Sequence, residues 1–179
     1  MKYLALILTF AASPLFASAP EFTLGFGRAD YSSKAKVEGI ESDTTKRTLF
    51  AGYLSGYLPA SDIFGLSLVL STGSSNSSEN YSDRAVKLLP KFKIWEGGIW
   101  ALAGVGQHDM RQLGTNHGVT TGIAGLAFTP KLGIEGFSYN FQLLYEQSLA
   151  AENYSIGETK ITNYKFRSFE TSLGLSYSL

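Results

Sequence analysis

Apolar and polar side chains alternate with a period of two along most of this chain. Across 63–71, Phe64, Leu66, Leu68 and Leu70 fall on one face, while Gly65, Ser67 and Ser71 fall on the other, with Val69 as the exception. Across 137–146, Phe137, Tyr139, Phe141, Leu143 and Tyr145 oppose Ser138, Asn140, Gln142 and Glu146. Across 169–179, Phe169, Leu173, Leu175, Tyr177 and Leu179 oppose Glu170, Ser172, Gly174, Ser176 and Ser178. A period of two predicts strands with one apolar and one polar face. Weaker copies begin at Phe22, Leu49 and Val86, and two Gly- and Ala-rich stretches, about 99–107 and 119–128, have an ambiguous phase. The pattern predicts eight strands.

The connections alternate in length. Those at 58–62, 95–97 and 129–133 are tight and carry Pro or Gly, whereas 32–45, 72–83, 109–118 and 148–163 are long and polar. Short turns at one end and long loops at the other describe an antiparallel up-and-down meander. The face opposite the Leu, Phe and Tyr rows holds mostly Gly, Ser, Thr and Asn, with several charges. Small residues make a poor water-facing exterior but a good filling for a narrow barrel. The reading is therefore an all-β, eight-stranded antiparallel transmembrane barrel, apolar outside and polar inside, whose closure pairs every backbone amide within the bilayer. Tyr57, Trp100, Tyr145 and Tyr177 are expected outward, at the water–lipid interfaces.

The first residues support export. Lys2, an apolar run from Tyr3 to Ala12 and the small residues Ala17-Ser18-Ala19 read as a signal peptide over 1–19, leaving the barrel at 20–179. The apolar run is too short to span a membrane as a helix. Lys and Arg total 15, as do Asp and Glu, so net charge gives no reason to expect nucleic acid as a partner. The chain has no Cys, which excludes thiolate metal sites, disulfides and cysteine nucleophiles. No metal or other cofactor is expected.

With these features the chain resembles the small eight-stranded outer-membrane barrels, of the OmpA transmembrane-domain and OmpX/Ail type. The alternation Leu173, Leu175, Tyr177, Leu179 carries the most specific part of the resemblance. It implies residence in the outer membrane of a Gram-negative cell and recognition of the last strand by the outer-membrane assembly machinery. The family usually ends in Phe where this chain has Leu179.

Two sets of charged residues stand out. By parity Lys87, Lys91, Lys93, Glu146, Glu170 and Glu21 point inward, where charges must be paired. A Lys87–Glu170 pair at the centre of a polar plug is expected. Arg28, Arg47, Lys165 and Arg167 are expected outward just below the long loops, forming one basic patch for lipopolysaccharide phosphates. Catalysis needs a His beside a nucleophile or carboxylate. The two histidines, His108 and His117, flank the third long loop without a His-x-Ser arrangement, Met110 and Val119 standing where the Ser would be. The leading functional reading is a non-enzymatic barrel with a structural or adhesion-like role through its loops, which contact a surface ligand of unknown kind. A narrow channel is the alternative, and a lipid A-modifying enzyme a weaker one.

Overall fold

The computed structural model describes residues 19–75 and 81–179. The signal peptide read at 1–19 lies outside them, apart from its last residue. The chain forms β1 (Glu21–Val37), β2 (Ile40–Glu41), β3 (Thr45–Pro59), β4 (Phe64–Ser74), β5 (Ser82–Trp95), β6 (Ile99–Gln112), β7 (Thr115–Phe128), β8 (Phe137–Ser148), β9 (Glu152–Ile156) and β10 (Thr159–Ser178). Eight of them, all but β2 and β9, pair antiparallel in sequence order, and β1 pairs with β10 to close the barrel. Closure leaves the barrel wall without a free edge.

Exposure follows the predicted phase on most strands. Leu66, Leu68 and Leu70 on β4, Tyr139, Phe141, Leu143 and Tyr145 on β8, and Phe169, Leu175 and Tyr177 on β10 all face outward. They form the band that meets hydrocarbon. Val69, the exception within its segment, is buried inside.

Two strands run in the opposite phase to that expected of their aromatic residues. Tyr57 and Trp100 point into the lumen, their rings edge to face with centroids 5.7 Å apart. On β3 the inward row is Leu49, Tyr53, Ser55 and Tyr57, all buried, and the outward row is Phe50 and Leu54 with Gly52 and Gly56 between and below them. Inward glycines make the room: Gly25 lies directly across from Tyr53, and a Cβ there would strike the Tyr53 ring. Gly65 does the same for the Tyr57 ring.

The long connections are not all loops. β1 runs on to Val37, where β2 folds back on it, and β10 begins at Thr159 with β9 beside it. β6 and β7 continue to a two-residue turn, Leu113-Gly114, both at positive φ (48° and 82°). Strand pairing thus extends beyond the apolar band at the end opposite the short turns.

Arginine at the hydrocarbon midplane costs a barrel about 2–4 kcal/mol. Leu143→Arg, in the middle of the outward row of β8, is expected to destabilise the barrel by that amount in denaturant titrations in liposomes. A change below about 0.5 kcal/mol would show that this face does not meet lipid.

Candidate functional site

The lumen is filled in layers. Uppermost, toward the extended strands, is an apolar cluster of Leu49, Tyr81, Met110, Val119, Tyr164 and Phe166. Below it lies an ionic layer. A second apolar cluster follows, built on Val69, Leu89, Leu102, Ile123 and Leu144 with Tyr53. A polar layer closes the end with short turns.

The ionic layer is one connected network. Lys87 Nζ donates to Glu146 Oε1 and to Glu170 Oε2, each at 2.5 Å. His108 lies between two carboxylates, with Nδ1 2.8 Å from Asp83 Oδ2 and Nε2 2.8 Å from Glu146 Oε2. Tyr31 Oη donates to Asp83 Oδ2 at 2.6 Å, and Thr121 Oγ1 to Glu146 Oε2 at 3.3 Å. Lys87, His108 and Glu146 are at most 1% exposed. Five strands, β1, β5, β6, β8 and β10, supply the charged members and the tyrosine, so the network ties opposite walls together. The structure thus places Lys87 between Glu170 and a second carboxylate.

The other inward residues do not join it. Lys91 is buried near the short turns with Nζ 4.4 Å from the Tyr57 ring centre and 5.1 Å from that of Trp100. Cation–π contact replaces the carboxylate partner expected for a buried charge. Lys93 and Glu21 are half-buried at the same end, and neither forms an ion pair among the described residues. Asp83, His108 and Tyr31 are members the sequence reading missed. The sequence sets His108 at the edge of a long polar stretch, but Leu102, Gly106, His108 and Met110 on β6 all point inward.

At the outer rim, Arg28, Lys165 and Arg167 face outward, with Arg28 paired to Asp30 at 2.9 Å. Arg47 does not belong with them. It shares the inward parity of Leu49, and its guanidinium lies 4.8 Å from the centre of the Tyr81 ring. The outward basic residue of that segment is its neighbour Lys46. His117 is also inward and buried above the hydrocarbon band: the outward residues of β7 at its level are Asn116 and Gly118. Its ring stacks on Tyr154 of β9 with centroids 4.0 Å apart and planes 3° apart, and meets Tyr164 edge-on.

No known family model and no curated protein sequence matches the chain. Solved structures do match. Neisserial surface protein A is 10% identical with a TM-score of 0.53, over 88% of this chain and 97% of that one. Ail, the attachment invasion locus protein of Yersinia pestis, is 15% identical with a TM-score of 0.50, over 90% of this chain and 100% of that one. OprG from Pseudomonas aeruginosa is 14% identical with a TM-score of 0.55, over 93% and 99%.

Removing one partner of a buried ion pair leaves an uncompensated charge and costs about 3–5 kcal/mol. Lys87→Met is expected to destabilise the barrel by that amount, and Lys87→Met/Glu170→Leu to recover part of it; chemical unfolding in detergent micelles measures both. Burial holds the His117 imidazole below its ordinary pKa, so it stays neutral in the folded state. The unfolded chain then binds more protons, and stability at this end is lost as the pH falls through about 6.5. Hydrogen exchange of β9 is expected to quicken between pH 7 and pH 5, and His117→Phe to flatten that dependence once intrinsic exchange is corrected for.

With its lipid-facing band, filled lumen and these structural matches, the chain has the fold of the small eight-stranded β-barrels of the bacterial outer membrane.

Proposed function

We propose that this protein is a closed, non-enzymatic outer-membrane barrel that works through its strand extensions on the cell surface. The observation that carries the reading is the ionic layer held between two apolar clusters. A water-filled path would have to pass both clusters and separate Lys87 from Glu146 and Glu170, leaving charges unpaired next to apolar side chains. The channel alternative therefore has the lumen against it.

The histidines speak against catalysis. Both ring nitrogens of His108 are occupied by carboxylates, and the ring is fully buried. A general base needs a free nitrogen within reach of a substrate proton. Neither ring nitrogen of His117 has a hydrogen-bond partner among the described residues, so no hydroxyl is set against it as a nucleophile.

What remains for function is the outer end. Ile40 and Leu113 sit at or beside hairpin turns there, 76% and 61% exposed. Exposed apolar turns on rigid hairpins suit contact with another surface. The outward row Leu173, Leu175 and Tyr177 on β10 is the feature through which the assembly machinery is proposed to engage the chain.

Planar-bilayer recording of the full chain tests the closed state. The expected trace shows no stepwise conductance above the lipid baseline. A steady open level in the unmodified protein would overturn the reading in favour of a channel.

A further inference from the structure

Lys91 carries a charge that no carboxylate answers. It is 2% exposed, and its side chain makes no ion pair and no hydrogen bond among the described residues. The Tyr57 and Trp100 rings lie 4.4 and 5.1 Å from its Nζ. Ring faces attract an ammonium, but they offer its three N–H groups no ordinary acceptor.

The groups around Lys91 are also donors in want of an acceptor. Tyr57 Oη is buried without a hydrogen-bond partner and lies over Gly65, the residue directly across from Lys91 on β4. Ser55 and Ser67 stand one inward step above Tyr57 and Gly65, on β3 and β4. Both are buried, and neither hydroxyl makes a hydrogen bond among the described residues. Lys93 adds a second ammonium, 6.0 Å from the centre of the Trp100 ring. Glu21, half-buried at the start of β1 and directly across from Tyr57, is the one inward carboxylate at this end, and it pairs with neither lysine.

We propose that the lower lumen binds a small monovalent anion of halide size between Lys91 Nζ and Tyr57 Oη. A water molecule in that place would accept a hydrogen bond and leave the charge unanswered. The cost of taking an ion out of water grows with the square of its charge. One ammonium beside the apolar cluster of Leu89 and Leu102 therefore suits a single negative charge rather than sulfate or phosphate. Lys91 is too enclosed for a large anion or one that keeps its hydration shell. The apolar cluster lies above the site, which opens only toward the short turns, so the anion is held and not conducted. Bound there, it links β3 to β5 across β4.

This inference leaves the barrel closed, and conductance does not enter its test, so the two readings fail separately. Trp100 makes the site readable. Bromide quenches indole fluorescence on contact, and Trp95→Phe (W95F) leaves Trp100 as the only tryptophan. The full chain carrying W95F, folded in detergent micelles, receives increasing sodium bromide, with ionic strength held constant by sodium sulfate. Quenching is expected to saturate, and chloride to reverse it by competition. W95F/K91M is expected to lose the saturable phase and keep only the shallow, linear quenching of chance collisions. W95F/E21Q removes the nearby carboxylate and is expected to reach half-saturation at about threefold less bromide. Should W95F/K91M not fold, W95F/Y57F is read in its place, with half-saturation expected at about tenfold more bromide from the loss of one hydrogen bond to a charged group. Linear quenching in W95F, or saturable quenching that K91M or Y57F leaves unchanged, would overturn the proposal. Quenching that becomes saturable only in W95F/E21Q would overturn it in favour of Glu21 turning inward to pair with Lys91.

Discussion

Three carboxylates, a lysine and a histidine share the lumen of a barrel too narrow to hydrate them. Isolated ions in such a place cost several kcal/mol each, so each must be answered by another. Lys87 answers Glu146 and Glu170, and His108 answers Asp83 and Glu146. Both imidazole nitrogens meet carboxylate oxygens, the arrangement that a doubly protonated ring satisfies. Because the members come from strands around the whole circumference, this layer can form only once the wall is nearly complete. It therefore specifies one closed register: slipping any contributing strand by a single residue would turn its ion toward lipid. The apolar clusters on either side keep water from competing for those ions, and the ions hold the clusters in place.

Much of this was legible in the residues. On β4, β8 and β10 the two faces differ sharply in character, and their phase could be read directly. The lysine and glutamate rows were found the same way. The reading failed where the lumen is itself apolar. β3 carries large side chains on both faces, and the rule that greasy residues face lipid sent Tyr57 the wrong way. The clue that would have corrected it is Gly25, an inward glycine directly across from Tyr53 that makes room for an inward ring. On β6 the same rule misplaced Trp100. Arg47 went the same way, because it shares the parity of Leu49 and Tyr53, and the inverted phase of β3 set it outside in place of Lys46.

The outer connections were misread for a different reason. Above the hydrocarbon the outward face meets water, so its apolar row ends and the alternation loses its contrast, while pairing and an inward row of Met110, Val119 and Tyr164 continue. The hairpin at Leu113-Gly114 looks like loop by composition and is strand by hydrogen bonding. Among the described residues, the result is a wall whose pairing continues past the apolar band, as far as the two-residue turn Leu113-Gly114 on β6 and β7.

The chain holds two tryptophans, and the architecture sends them to different surroundings. Trp95, 67% exposed beside a short turn, lies outside the wall. Trp100 is partly buried, its indole Nε1 donating to Thr129 Oγ1 at 3.1 Å and its ring facing the Lys91 ammonium. One indole is open to the surroundings of the barrel, the other faces the sealed interior. Their fluorescence can thus separate insertion from closure in time, without any label attached to the protein.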